Sequence, residues 1–348
     1  MGRPAATWPV AFRFSRRHPG NARAVIPLSS SRSSIMQQAH GIHTLDTGFH
    51  RPNFDAAYLL VEKGRGAFVD CGLNASVPAL LKGVAAAGLT PADVDWLILT
   101  HVHLDHAGGA GALMQALPKA RLVVHPRGAR HMIDPSQLIA GASAVYGEEE
   151  VARTYGRILP VDATRVVEAE DGHRIDLAGR ELLCLDAPGH ARHHIVIWDA
   201  RSRSFFTGDT FGLSYRELDS AAGAFILPTT TPVQFEPEAL KASIARMLDF
   251  DPAGMYLTHY GRVAPPAALA QALFEQIDAM VAIARAHARL AGEARHAAMC
   301  ADLAELYAAR AAAHGCRQSR AEVIDLLGMD IELNAQGLGV WMDREARA

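Results

Sequence analysis

Short apolar runs bounded by turn residues recur along the first two-thirds of the chain, and longer amphipathic stretches lie between them. Runs of this length, flanked by glycine, proline or polar residues, are typical of buried strands. The predicted strands here are residues 58–61, 67–69, 96–99 and 121–124. Helices are predicted over residues 76–87, which stop before Gly88, and over residues 109–117, which stop before Pro118. This alternation predicts an α/β fold.

The pattern weakens after residue 124. Residues 125 to about 163 are rich in glycine, proline and polar side chains, so no regular element is predicted there. Strands recur from that point to about residue 208, and a helix is predicted near residues 238–248. The chain up to about residue 264 therefore has two halves, each with strands and helices.

The last part of the chain differs in composition. Residues 266–328 are rich in Ala, Leu, Glu and Arg. Apolar residues recur there at helical spacing, as at Leu273, Ile277, Met280 and Val281. We expect two to four helices packed on the core. The pattern leaves open whether they cover a site, form a homodimer surface, do both, or only stabilise the fold.

The first 35 residues form a third kind of segment. They contain six arginines and two serine patches, and the first acidic residue of the chain is Asp46. We favour a disordered extension, or a start codon that belongs at Met36, over a transit peptide, because the segment has little to bury. The expected organisation is an extension over residues 1–35, a catalytic domain over residues 36–264 and a helical region over residues 265–348.

Composition and charge exclude several classes of function. The chain has 348 residues, is 49% hydrophobic and 20% charged, and carries a formal net charge of −3. This balance favours neither a nucleic-acid partner nor an anionic membrane. No uninterrupted apolar run reaches the roughly 18 residues that a membrane span needs. The four cysteines form no C-x-x-C motif, which fits a reducing cytoplasm.

The largest group of candidate metal ligands lies just after the strand predicted at residues 96–99. Residues 101–106 read His-Val-His-Leu-Asp-His, and Gly108 and Gly109 follow as a turn. Imidazole nitrogens and carboxylate oxygens are ligands that zinc prefers, and imidazole also suits iron and copper. His101 and His103 can hold one ion, while Asp105 and His106 can point to the other side and hold a second.

Three further residues of ligand type stand in similar positions. His190, Asp209 and His259 each follow a strand-like apolar run, and each lies close to a glycine in sequence. A metal site assembled on loops at strand ends needs this repeated arrangement. Four such segments in one chain favour a metal centre over a set of unrelated polar loops.

With these segments in order, the chain resembles the metallo-β-lactamase-fold hydrolases, a superfamily that includes glyoxalase II, acyl-homoserine lactonases and metallo-β-lactamases. The resemblance covers residues 40–262, and residues 101–106 are its most specific part. It rests on residues 68–72, 101–106, 189–190, 208–209 and 258–259. The resemblance implies a four-layered αβ/βα sandwich, followed here by a C-terminal helical extension.

The resemblance also implies a role for each ligand-type residue. His101, His103 and His190 would bind one metal ion, Asp105, His106 and His259 would bind a second, and Asp209 would bridge both. Asp70 would support the loop, and His194 stands where the family often has a hydrogen-bonding His or Ser. The implied cofactors are two divalent ions, with zinc favoured over iron or manganese.

The implied reaction is hydrolysis. A hydroxide shared by two metal ions attacks an ester-type bond, and Asp105 or a metal-bound water can give the leaving group its proton. Asp105 and Asp209 are therefore the predicted catalytic residues, while Tyr215 or Tyr260 could donate a hydrogen bond to the oxyanion. The stretch between Tyr215 and Gln234 is mostly apolar and hydroxylated, which favours a thioester or lactone of a small acyl compound as substrate.

Two other functions stay open on the sequence alone. One is an iron-dependent oxygenase or oxygen-reducing protein on the same fold. His103 argues against the flavodiiron branch, which usually has Glu at that position. The other is a non-catalytic regulator that binds metal and acts through its C-terminal helices. Elemental analysis and a panel of thioesters, lactones and phosphodiesters would separate these functions.

Overall fold

Two β-sheets lie face to face at the centre of the molecule, and helices cover the outer face of each sheet. A computed structural model describes residues 35–37, 39–230 and 232–347. The expectation for the N-terminal extension falls on residues outside this part of the chain, up to residue 34. The first strand begins at Ile35.

The first sheet contains seven strands in chain order, β1 to β7. Each neighbouring pair from β1 to β4 is antiparallel, and each neighbouring pair from β4 to β7 is parallel. The strands are Ile35–Gln37, Ile42–Asp46, Ala56–Glu62, Arg65–Val69, Val94–Ile98, Arg121–Val124 and Val166–Glu168. Helices α1 to α6 connect strands of this sheet along the sequence, and they are Val77–Ala86, Leu104–Ala107, Ala110–Ala116, Pro126–Ile133, Ser136–Tyr146 and Glu148–Tyr155.

The second sheet contains six strands in the order β13-β12-β11-β10-β9-β8, and all its pairs are antiparallel except β11 with β12. Strands β8 to β13 are Arg174–Leu177, Arg180–Asp186, Ile195–Asp199, Ser204–Gly208, Gly254–Leu257 and Gly261–Val263. Helix α7, Pro237–Leu248, lies between β11 and β12 in sequence. Four helices follow the sheet, α8 to α11: Pro266–Ala286, Gly292–His314, Arg320–Leu326 and Gly328–Glu345.

Strand β3 shows why the apolar runs are continuous. Tyr58 and Leu60 belong to the apolar layer between the two sheets, whereas Leu59 belongs to the layer under α1 and α3. Side chains alternate between the faces of a strand, so a sheet covered on both faces needs apolar residues at every position. The predicted α/β sandwich with C-terminal helices is confirmed.

One part of the predicted pattern is wrong. Residues 126–155 form the three helices α4, α5 and α6, where no regular element was predicted. Each of these helices is short and begins at, or directly after, a proline or glycine: Pro126, Pro135 and Gly147. Such residues indicate turns, so the segment resembles a loop in sequence although α4 buries Ala129 and Met132 on one face.

The C-terminal helices pack on the outer face of the second sheet. Helix α8 buries Leu273, Ile277 and Met280 in the same apolar cluster that contains α7 and α11. Among the described residues, α8 is the one helix that is long and apolar enough to cross a membrane by length and composition. The core helix of a soluble protein meets the same criterion, and the buried stripe of α8 has that arrangement.

Candidate metal centre

The segments that follow four strands carry all seven of the predicted donor residues, and two of the seven, Asp105 and His106, lie in the short helix α2. Residues 101–106 follow β5, His190 follows β9, Asp209 follows β11 and His259 follows β12. The structure brings the seven side chains into two adjoining groups. In each group the candidate ligand atoms lie within 4.8 Å of one another.

The first group contains His101, His103, His190 and Asp209. His103 Nδ1 lies 2.8 Å from His101 Nε2 and 3.1 Å from His190 Nε2. Asp209 Oδ2 lies 3.3 Å from His190 Nε2 and 3.9 Å from His101 Nε2. Three ring nitrogens that converge in this way need a proton or a cation between them, because neutral imidazole nitrogens without a hydrogen present lone pairs to one another.

The second group contains Asp105, His106 and His259. Asp105 Oδ2 lies 3.6 Å from His106 Nε2 and 3.4 Å from His259 Nε2. Asp209 Oδ1 lies 3.3 Å and 3.7 Å from the same two nitrogens. The two oxygens of Asp209 thus face different groups, which is the arrangement that a bridging ligand requires.

In four of the five histidines, the ring nitrogen that points away from the centre is hydrogen-bonded to another residue of the protein. The partners are Thr100 Oγ1 for His101 at 3.2 Å, Asp70 Oδ2 for His106 at 2.9 Å, the Thr229 carbonyl for His190 at 3.1 Å and the Phe54 carbonyl for His259 at 3.0 Å. In metal sites such bonds fix the tautomer and orientation of a ligating imidazole. Here they leave Nε2 of all four rings directed at the centre.

Asp70 connects three of the strand ends. Its carboxylate accepts hydrogen bonds from the Thr100 amide at 2.8 Å and from the Thr258 hydroxyl at 2.9 Å, in addition to its contact with His106. Asp70 is 1% exposed, so these bonds form away from solvent. The residue supports the loop, as the resemblance implied.

The donor set fits metal cations. His106 Nε2 and Asp209 Oδ1 are buried and have no hydrogen-bond partner among the described residues. Burial, together with the neighbouring imidazoles, lowers the pKa of His101 and of His103 well below the usual value, which keeps both rings neutral as ligation requires. A cluster able to bind metal ions is therefore present. The role of each ligand stays a prediction.

The carboxylate at the centre is held in its charged form. Burial alone raises the pKa of Asp209, but the charges of His106, His190 and His259 outweigh burial and hold the pKa well below its ordinary value. The glycine before it is also required. Gly208 has a φ of +47°, and a Cβ atom there would lie 2.5 Å from Thr100 Oγ1.

Two other histidines lie beside the cluster. His194 is fully buried, and its ring nitrogens bond to the Asp209 amide and the Thr210 hydroxyl, both at 3.2 Å, so it supports the Asp209 loop. His193 lines the cavity above the cluster, and its buried Nδ1 has no partner among the described residues. The sequence analysis missed His193, because no spacing distinguishes it from its neighbour.

A cavity of about 730 Å³ opens over the two groups of donors. His103, Asp105, Asp209 and His259 form its floor. Its apolar walls include Phe49, Phe54, Leu138, Leu213, Val233, Met329 and Leu333. The last two residues belong to α11, so the C-terminal helices do form part of the candidate site.

The two tyrosines suggested as oxyanion donors lie in different surroundings. Tyr215 lines the cavity, but its hydroxyl bonds to Asp330 Oδ1 at 3.1 Å and its ring stacks on Phe54. Tyr260 belongs to the apolar layer between the sheets. Tyr215 therefore fixes α11 against the wall, and its hydroxyl is engaged by Asp330.

Comparison with known proteins gives the family. A family model described as the metallo-beta-lactamase superfamily matches residues 51–259, which is more than half of the chain. The metallo-beta-lactamase fold-containing protein ST1585 of Sulfurisphaera tokodaii is 26% identical over 231 residues, which are 65% of this chain and 80% of that protein. A hydroxyacylglutathione hydrolase of Xanthomonas euvesicatoria is 28% identical over 214 residues, which are 58% of this chain and 68% of the hydrolase.

Solved structures agree on the fold. The crystal structure of ST1585 has a TM-score of 0.59 and is 22% identical, and the match covers 86% of this chain and 99% of that one. A metallo-beta-lactamase family protein of Thermus thermophilus, TTHA1429, has a TM-score of 0.60 at 21% identity, with 88% and 94% of the two chains covered. These two structures show the fold alone, whereas the family model matches more than half of the residues, and on that match the chain belongs to the metallo-beta-lactamase superfamily.

Proposed function

We propose that the protein is a dinuclear metal-dependent hydrolase that cleaves the thioester or lactone of a small acyl compound. The observation that carries the proposal is the seven-residue donor set at the floor of an apolar-walled cavity. His101, His103 and His190 would hold one ion, Asp105, His106 and His259 a second, and Asp209 both. Zinc suits this set of imidazoles and carboxylates. Ions held there would activate a water molecule and polarise the carbonyl oxygen of the substrate.

Asp105 is the residue best placed to move a proton. Burial raises its pKa, but the charges and hydrogen bonds of His106 and His259 lower it to about 2, so the group rests as a carboxylate. It lies on the cavity floor with a side chain that is 25% exposed. As a carboxylate it can accept a proton from the attacking water and return it to the leaving group.

The charges of the cavity favour a neutral substrate. Arg153 is the one Arg or Lys among the described residues that line it, and Arg153 is paired with Glu150. Burial lowers the pKa of His193 to about 3, so that ring adds no positive charge. Apart from the proposed metal ions, the described lining offers a polyanion such as a nucleic acid no set of cationic side chains to neutralise its phosphates.

The named relatives support cleavage of a thioester bond, but they support glutathione as part of the substrate less well. Hydroxyacylglutathione hydrolases cleave a thioester, and several are between 27% and 33% identical to parts of this chain. Glutathione carries two carboxylates, for which the cavity offers only the paired Arg153. We therefore propose a thioester or lactone whose acyl and leaving groups are mostly uncharged.

A substrate panel tests the proposal. The zinc-loaded full chain would be assayed with uncharged acyl thioesters of increasing chain length, acyl lactones, lactoylglutathione and a phosphodiester. We expect the highest kcat/KM for an uncharged thioester or lactone, and no turnover by an Asp209→Ala preparation purified in parallel. Highest activity on the phosphodiester, or no turnover on any compound with both ions bound, would contradict the proposal.

The wall residue Gly141 allows a sharper test of where the acyl group binds. Gly141 lines the cavity, and a Cβ atom there would meet nothing within 4 Å. Gly141→Leu should shorten the longest acyl chain accepted. Ala140→Leu, on the same helix but outside the cavity lining, should not change the preference. Equal chain-length profiles for both variants would place the acyl group elsewhere.

A further inference from the structure

A second kind of donor cluster lies in the C-terminal helices. His296 and Cys300 are four residues apart on α9, so their side chains lie on the same face of that helix. Glu332 reaches them from α11. The candidate ligand atoms of the three residues lie within 4.8 Å of one another, and none of the three belongs to the metal centre described above.

The distances within the cluster are close to those between the ligands of one tetrahedral ion. His296 Nε2 lies 3.4 Å from Cys300 Sγ and 2.9 Å from Glu332 Oε1, and Cys300 Sγ lies 3.7 Å from the other carboxylate oxygen, Glu332 Oε2. Ordinary zinc bond lengths at tetrahedral angles put such atoms about 3.3–3.6 Å apart. Small side-chain adjustments would bring Nε2, Sγ and one or both carboxylate oxygens into ligand positions.

The same geometry argues against a catalytic triad. In a nucleophile–histidine–acid relay, one ring nitrogen contacts the nucleophile and the other contacts the acid. Here both Cys300 and Glu332 contact Nε2 of His296. The three side chains converge on one point, which suits a cation and does not suit proton relay.

The surroundings leave the cluster accessible and already oriented. The side chains of His296 and Glu332 are 31% and 38% exposed, so an ion can enter and water can supply a fourth ligand. Gln336 donates a hydrogen bond to Glu332 Oε1 at 2.9 Å, which orients the carboxylate. The neighbouring cation Arg295 is turned away and pairs with Asp343 at 2.8 Å.

We propose that His296, Cys300 and Glu332 form an additional metal-ion site, with one thiolate, one imidazole and one carboxylate ligand, for zinc or a cation of similar softness. The ion would join α9 to α11. Glu332 also lines the cavity over the main centre, two residues after Asp330. Occupation of the site would therefore fix the part of α11 that forms the cavity wall.

Cobalt loading of the full chain tests the site without reference to activity. The main centre contains no cysteine among its seven donors, so a thiolate-to-cobalt charge-transfer band reports on Cys300. We expect the band in the wild-type chain, its loss in Cys300→Ser, and one equivalent less of bound metal by elemental analysis. Cys316→Ser is the control, because Cys316 is also a partly buried free thiol but bonds to the Leu218 carbonyl.

A second measurement uses the reactivity of the thiol. Zinc should slow alkylation of Cys300 by a small thiol reagent at least tenfold and leave alkylation of Cys316 unchanged. The competing structure is a metal-free ion pair, in which hydrogen bonds to Cys300 and Glu332 raise the pKa of His296 to about 10. A cobalt-loaded wild type without the band, a band that persists in Cys300→Ser, or alkylation that zinc does not slow would overturn the proposal.

Discussion

Asn334→Ala should weaken both the fold and metal binding, although Asn334 lies on α11 and is not a donor. The side chain is fully buried. Its Oδ1 accepts from the Thr230 amide at 2.7 Å, and its Nδ2 donates to the Pro228 carbonyl at 3.2 Å and to the Tyr307 hydroxyl at 2.7 Å. Alanine removes all three bonds and leaves two backbone groups of one loop without this partner.

The size of the effect follows from those bonds. A neutral hydrogen bond contributes about 1 kcal/mol net, and a buried polar group left unpaired costs about 1–3 kcal/mol. Three lost bonds with two stranded backbone groups should lower the free energy of unfolding by about 3–5 kcal/mol. Denaturant unfolding of the metal-free full chain, followed by circular dichroism, measures this difference.

The effect on metal binding follows from the residue between the two stranded groups. The carbonyl of Thr229 holds Nδ1 of His190 at 3.1 Å. If the loop loosens, His190 loses its fixed orientation, and loss of such a supporting bond typically costs about 10–100-fold in metal affinity. Competition with a chromophoric chelator at equal protein concentration measures the affinity of variant and wild type.

Gln276→Ala is the matched control for this experiment. Gln276 is 2% exposed and donates from α8 to the Ile226 carbonyl at 2.8 Å, three residues before Thr229. This variant should lose stability while keeping wild-type metal affinity. The reasoning is refuted if Asn334→Ala unfolds like the wild type, or if it loses stability but binds metal within about twofold of the wild type.

Three further predictions follow from the placement of the donors. His101→Ala or His103→Ala should remove most metal from the first group and most activity, and full stoichiometry by elemental analysis in either variant would contradict the assignment. Asp209→Ala should lose more metal than His259→Ala, because the two oxygens of Asp209 face both groups; the reverse order would exchange their roles. A chain cut after Ala264 should aggregate in light scattering, because it exposes the apolar faces that α8 and α11 cover; a soluble, fully active fragment would show those helices to be dispensable.

The sequence alone predicts the metal donors, because they are grouped along the chain or follow predicted strands. Residues 101–106 place four donors in one short segment after β5, and each remaining donor follows a strand that its apolar run already predicted. Glycines beside the donors have a physical reason as well. Gly189 has a φ of +131°, and a Cβ atom there would lie 2.2 Å from the backbone nitrogen of Leu240. Such positions admit only glycine, so they mark strand ends in the sequence.

The contribution of α11 to the site was not predicted, because it depends on contacts between residues that are distant in sequence. Asn334 and Met329 lie at least 70 residues after His259, and nothing in the periodicity of α11 shows which of its faces meets the cavity. Helices α4 to α6 were missed for a different reason, because the proline or glycine at the start of each one indicates a turn. In α11 the tertiary contact, and not the local pattern, decides which side chains meet the cavity.

The metal ligands and the cavity walls belong to different parts of the fold, and this separation affects how substrate preference arises. The donors sit at strand ends of the two central sheets, where backbone geometry is constrained from both faces by packed side chains. The cavity walls come from α5, from the loop that contains Val233 and from α11, which pack on that core from outside. Exchange of wall residues can therefore change the accepted acyl group without moving a metal ligand. One exception is the Asn334 contact, through which the wall also holds His190, and so α11 couples the shape of the cavity to the affinity of the metal centre.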